Sequence, residues 1–173
     1  MNESIQARVR IRVQQEDFDP AREILTLESQ TAGRAGAVVS FTGLARERTR
    51  EEGQEAFPVE RITLEHYPGM TEHSLQEIAE RAVGRWELES ALVIHRYGEL
   101  RPGDRIVLVA AASAHRDAAF EACRYMVDTL KTEAPFWKRE SGPRGTRWVE
   151  AKASDSQARE RWETPKEIGR SRP

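Results

Sequence analysis

Residues 105–113 read RIVLVAAAS, and residues 116–132 read RDAAFEACRYMVDTLKT. The first stretch is apolar at every position from Ile106 to Ala112, so neither face of a strand built from it can meet water. That predicts a central strand covered on both sides. In the second stretch, Ala119, Ala122, Cys123, Met126, Val127 and Leu130 recur at helical spacing and predict a helix with one buried stripe. Pro135 ends it, because a proline pushes the residue before it out of the helical region.

Outward from this pair, the pattern gives more strands and a second long helix. Residues 8–13, RVRIRV, alternate as a half-buried strand does. GAVVSFTG (36–43), RITLEHY (61–67) and SALVIHRY (90–97) are β-rich runs, several bounded by turn residues. Residues 21–29 suit a short helix. A longer one follows Pro68 and Gly69, with Thr71 as its expected cap and a stripe of Leu75, Ile78, Ala79, Ala82, Val83 and Trp86. Residues 44–60, LARERTREEGQEAFPVE, are charged, lack an apolar face and contain Gly53 and Pro58. They predict a long loop, mobile over about 47–60. After a turn at 141–146, RWVEA reads as a strand and residues 154–162 as a last helix. The expectation is one α+β domain over 1–162 and a disordered tail over 163–173.

Composition narrows the function. The chain has 173 residues, 38% hydrophobic and 32% charged, with a net charge of -2. That balance exerts no global pull on nucleic acid or membrane, so any basic site is local. The single cysteine, Cys123, excludes a disulfide framework and a four-cysteine zinc site within one chain. Phosphate-binding glycine motifs are absent, and His66, His73, His95 and His115 do not fall in a metal spacing. The expectation is therefore no metal and no cofactor. MNESIQARVRIRV lacks the apolar run of a secretory signal, and no stretch approaches the roughly 20 apolar residues of a membrane helix. A cytoplasmic protein is expected.

Three stretches carry candidate chemistry. LKTEAPFWKRE (130–140) sets Lys131 and Lys138 on either side of a proline and two aromatics. Two ammonium groups held close behind aromatic walls would depress each other's pKa and could act as bases. The plain alternative is a helix-end cation, worth about 0.3–1 kcal/mol, and a surface lysine. His115 and Arg116 open a helix, where an anion is favoured; a solvated helix start is equally open. Arg46 is either a phosphate clamp or one more cation in a charged loop. Cys123, on the inner stripe, reads as packing rather than as a nucleophile. The mixture FWKRESGPRGTRW leaves a non-catalytic nucleic-acid module as the alternative from another class.

Together GAVVSFTGLAR, LEHYPGMTE, VIHRYGELRPGD, SAHRDAAFEACRYMVDTLKTEAPFWKRE and RWVEA resemble the family of molybdopterin synthase large, catalytic subunits. The resemblance spans roughly residues 36–162. It implies an α/β-hammerhead type of fold, with mixed or antiparallel sheet and packed helices. It implies a homodimer within a heterotetramer whose other partner is a small ubiquitin-like subunit. That subunit's C-terminal Gly-Gly thiocarboxylate would give its sulfur to cyclic pyranopterin monophosphate, forming the dithiolene of molybdopterin. The family's catalytic lysines match Lys131 and Lys138. Its substrate-binding positions match Phe41, Leu44, Ala45, Arg46, His115, Arg116, Arg139 and Glu140. Leu44 departs from a lysine that relatives often carry there. The thiocarboxylate is itself the nucleophile, which agrees with a buried Cys123.

Overall fold

The computed structural model describes residues 5–50, 55–149 and 153–163. Its centre is the predicted strand, β8 (Arg105–Ser113), the third member of a four-stranded sheet. The sheet runs β1 (Val9–Gln14), β6 (Ser90–Arg96), β8, β2 (Ala37–Leu44), with β1 parallel to β6 and the other pairs antiparallel. Strand geometry turns successive side chains to opposite faces. Val107, Val109 and Ala111 therefore pack under two long helices, α2 (Met70–Trp86) and α3 (Arg116–Glu133). Leu108, Ala110 and Ala112 pack with Phe18 and with Leu27 of α1 (Pro20–Gln30). Two cores on two faces explain why β8 carries no polar position from Ile106 to Ala112.

A second sheet is antiparallel throughout, in the order β10 (Gly145–Val149), β9 (Phe136–Gly142), β5 (Arg61–His66), β7 (Gly98–Leu100). Its core is smaller: Ala45, Val59, Ile62, Leu64 and Leu100. A short helix, α4 (Ala153–Glu160), lies against α3, and Trp162 just after it meets Trp86 and Tyr125 edge-on.

The structure corrects several expectations. Residues 136–142, which the sequence pattern assigned to no strand, form one, so Lys138 stands on β9. Part of the 47–60 segment is ordered as a ribbon, β3 (Arg48–Thr49) paired with β4 (Phe57–Pro58). Its centre, 51–54, lies outside the described residues, as does the tail beyond Glu163. Thr71 is not the cap of α2; Gly69 holds that position, with its N–H donating to Glu72 at 2.7 Å. Thr71 is the second residue of the helix and fully buried, where its hydroxyl accepts the Tyr67 N–H and donates to the Pro135 carbonyl at 3.2 Å. The kink after α3 is thus tied to the start of α2.

Candidate active site

Beyond the kink, Phe136, Lys138 and Glu140 share one face of β9, because they are spaced by two. Phe136 stacks on His95 with ring centroids 3.7 Å apart. His95 is buried, and burial pushes its imidazole down to about 4, so near neutral pH it is an uncharged platform. Trp137 points the other way and is exposed. The expected pair of aromatic walls is therefore one half-buried ring and one exposed ring.

Glu140 is the centre of the face. It has no exposed surface, and its carboxylate is surrounded by donors. Lys138 Nζ lies 2.7 Å from Oε1, and the Thr49 hydroxyl donates to the same oxygen at 2.7 Å. Arg147 donates Nε and Nη2 to Oε2 at 3.3 and 3.2 Å. Burial alone would raise this carboxyl's pKa. Donation from Lys138, Thr49 and Arg147 outweighs it and holds the group below the usual carboxylate range. Glu140 is therefore ionised at neutral pH and fixes the ammonium of Lys138. The lysine side chain remains 31% exposed, enough to meet a ligand.

Local sequence builds this cluster. The hairpin of β9 and β10 sets Arg147 directly opposite Glu140. The β3–β4 ribbon delivers Thr49 from above. It is seated by the Glu60 N–H on the Ser141 carbonyl at 2.9 Å and by close approach at Gly142, where any Cβ would meet the Pro58 carbonyl oxygen at 2.1 Å. The Arg147 guanidinium also covers the Phe57 ring at 4.4 Å. Neither Thr49 nor Arg147 was singled out from the sequence. Counting back from the turn at 143–144 pairs Arg147 with Glu140; nothing in the linear sequence points to Thr49.

The other expected residues lie at varied distances from this centre. Ala45 is buried in the second sheet's core together with Leu64, the strand partner of Lys138. That packing sets its neighbours Leu44 and Arg46, both exposed, at the junction of the two sheets. Phe41 lies half-exposed on β2, its ring over Gly43, where a side chain would clash with it and with Val107. Arg139 is on the opposite face of β9 from Lys138, its guanidinium 5.5 Å from the Trp148 ring. Lys131 is exposed in the last turn of α3. His115 is the exposed cap residue at the other end, followed by Arg116, which lies 3.7 Å from Asp117. At 1.5 Å per residue, Arg116 and Lys131 are about 22 Å apart along the helix. One chain does not bring them together. Among the described residues no group of three or more His, Cys, Asp or Glu could hold a metal, and no helix is long and apolar enough to cross a membrane.

Comparison with known proteins identifies the family and the fold. The profile of the MoaE protein family matches residues 13–133. That span includes Lys131 and stops short of β9. A molybdopterin synthase catalytic subunit from Mesorhizobium japonicum is 52% identical over 161 residues, covering 91% of this chain and 95% of its own. The subunit of that name from Escherichia coli is 56% identical over 127 residues, covering 73% and 81%. Among solved structures, a molybdopterin biosynthesis MoaE protein from Burkholderia ambifaria superposes with a TM-score of 0.75 at 41% identity, covering 91% of this chain and 99% of that one. A molybdopterin synthase from Staphylococcus aureus superposes with a TM-score of 0.70 at 29% identity, covering 80% and 96%.

Proposed function

We infer from membership of the MoaE protein family, to which this chain belongs, that it is a molybdopterin synthase catalytic subunit acting in molybdenum cofactor biosynthesis. The finer reading is a sulfur transfer. A small ubiquitin-like subunit brings a C-terminal thiocarboxylate, and its sulfur passes to cyclic pyranopterin monophosphate. The biosynthetic role of the relatives supports a cytoplasmic location. The nucleic-acid alternative gains no support, because the relatives named are synthase subunits. Within the basic-aromatic stretch, Arg147 is committed to Glu140, and Arg139 lies against Trp148.

The observation that carries the reading is the ammonium of Lys138 fixed by a buried, ionised glutamate. Such a group can hold the thiocarboxylate, stabilise negative charge as it forms on the carbonyl oxygen, and hand on a proton. Lys131 adds a second cation beyond the kink. Arg46, His115 and Arg116 are suited to the cyclic phosphate. Glu140 is enclosed by its three partners, which supports a positioning role for it rather than direct contact with substrate. The 22 Å between Arg116 and Lys131 supports a homodimer in which each site draws one set from the neighbouring subunit.

Reconstitution with thiocarboxylated small subunit and precursor tests this. Lys131→Ala and Lys138→Ala should each lower product formation by about a hundredfold or more at saturating precursor. Mixed dimers of Arg116→Ala and Lys131→Ala chains should regain part of the activity. Near wild-type turnover in either lysine variant would overturn the assignment, and silent mixed dimers would confine each site to one chain.

A further inference from the structure

The first sheet ends in two open edges, and they are built differently. β1 carries Arg10 and Arg12, and Arg12 is ion-paired with Glu23 of α1. Charges of this kind keep an edge from pairing with other strands. β2, AVVSFTGL, carries neither charge nor proline over its eight residues, and its register against β8 is even until Gly43. Among the described residues no strand pairs with its outer side, and no residue of β2 is buried.

Apolar surface borders this edge. Val39 packs into the core under α2 and α3, so Phe41, two residues on, faces the same side. Phe41 is 38% exposed, Leu44 54%, and Phe120 of α3 62%. At 3.6 residues per turn, Arg116, Phe120, Val127 and Lys131 fall on one side of α3. Tyr125, whose ring meets that of Trp86 of α2 at 5.2 Å, is on the other side. The stripe therefore faces away from α2, toward β2, on which α3 also packs. Strand and helix share a midpoint. Phe41 pairs with Val109, and Cys123 Sγ lies 3.8 Å from the Val109 carbonyl. Phe41 is near the middle of β2, and Cys123 is near the middle of the stretch from Arg116 to Lys131. α3 starts just past Ser113, the partner of Ala37, and runs back toward the Leu44 end. Arg46 and Lys131 therefore sit at one end of the edge, and His115 and Arg116 at the other. From Ala37 to Leu44 is about 24 Å, close to the roughly 22 Å between Arg116 and Lys131.

We propose that the β2 edge is where two copies of this chain join. They pair antiparallel about a two-fold axis that passes at the level of Ser40, Phe41 and Cys123. Such a pairing sets the strands end for end, so both ends of the joined edge become equivalent. Each end holds Arg46 and Lys131 of one protomer together with the partner's His115 and Arg116. Phe120 lies toward the partner's Val127, and the exposed apolar surface is covered. Three permanent cations and a histidine then converge at each end, a setting suited to a phosphate ester. This inference rests on the shared-site reading above and names the surface that such sharing needs.

The test is the assembly state of the full chain by sedimentation, together with cross-linking and the reconstituted assay. The wild type should be a dimer. Ser40→Lys puts a charge on the edge and Phe120→Asp puts one on the helix stripe. Both residues are exposed, so the fold should survive, and each change should weaken self-association at least a hundredfold and take sulfur transfer with it. Residues directly opposite in an antiparallel pair have Cα atoms about 4.5–5.5 Å apart, within reach of a disulfide. In a Cys123→Ala background, Ser40→Cys or Phe41→Cys, whichever falls on the axis, should link two chains on oxidation. Ser29→Cys, exposed on α1, should not. A monomeric wild type, or a dimer that neither cysteine links and both charged variants retain, would overturn the proposal, while product formation by the wild type would leave the sulfur-transfer reading standing. Monomeric variants with full turnover would overturn the sharing of sites across this edge. A wild type that stays monomeric and cross-links at position 40 only to the small subunit would assign the edge to that partner and overturn the pairing of copies. A dimer linked at this edge that makes no product would uphold the interface and break the sulfur-transfer reading.

Discussion

In the first sheet, β8 disappears between two hydrocarbon cores and carries no charge from Ile106 to Ala112. In the second, β9 buries a carboxylate completely and surrounds it with a lysine, an arginine and a threonine. The two differ in what a single replacement does. Hydrocarbon burial is additive and forgiving in direction; a cluster of complementary charges out of water is not. Remove one member and the others are left buried and unpaired. The first sheet is thus suited to holding the molecule together. The second is suited to holding one ammonium group in one place.

The sharpest way to break this contrast is Glu140→Ala. It strands Arg147 and Lys138 around an empty space, and should cost about 3–5 kcal/mol, the range seen when one partner of a buried pair is deleted. Activity should fall with it. Glu140→Gln keeps the shape and the Thr49 bond but not the charge. It should fold better than the alanine variant and still transfer sulfur poorly. Chemical denaturation and the reconstituted assay measure the two effects. A Glu140→Ala chain with wild-type stability would mean that the cluster is not cooperative.

How much of this was readable in the linear sequence follows the same division. A both-faces-apolar run and a 3.6-residue stripe are signals that a strand and a helix carry within themselves, so β8, α2 and α3 were legible. The strand β9 was not, because FWKRESG has no apolar alternation; its pairing comes from β5 and β10. The ribbon was hidden for a related reason. Arg48–Thr49 and Phe57–Pro58 are two residues each, too short for any period, and are seated by Ser141 and by Gly142's missing side chain. Lys138 stood out in its own stretch, across a proline and two aromatics from Lys131, and Glu140 through the family resemblance. That they form a pair, with Thr49 as a third member 91 positions away from Glu140, is a property of the fold.

Acid sharpens the comparison, since the two regions answer to it in different windows. His95 joins them: it belongs to β6 and carries Phe136 of β9 on its ring. Its folded pKa is about 4, against 6.5 for the ordinary group. Above pH 6.5 both folded and unfolded chains leave it neutral, and stability does not respond. Between 6.5 and 4 the unfolded chain takes up a proton that the folded one refuses, so stability falls as pH falls. A gap of that size corresponds to about 3 kcal/mol. Glu140 acts lower. Its folded pKa is depressed, so its contribution is complete above the unfolded value of about 4.3 and is lost as pH falls through the folded one. Denaturation measured from pH 7 to 3 should show two successive losses. His95→Phe should flatten the upper window only, and Glu140→Gln the lower only. A His95→Phe chain with an unchanged upper slope would place that titration elsewhere.

The smallest expected effect concerns the only sulfur atom in the chain that could be a nucleophile. Cys123 lies on the inner face of α3, in the hydrocarbon core, its Sγ 3.8 Å from the Val109 carbonyl. Burial pushes the thiol up to about 12, so the thiolate that would attack is nearly absent at neutral pH. A sulfur transferase with such a cysteine must receive its sulfur already activated, as a thiocarboxylate is. Cys123→Ala should therefore cost on the order of 1 kcal/mol, the loss of one small buried group, and leave sulfur transfer at the wild-type rate per folded molecule. Thiol reagents should label the native chain only as fast as it opens. A folded Cys123→Ala protein without activity would move sulfur chemistry from the partner's terminus into the first sheet's core, and the division of labour between the two sheets would fail.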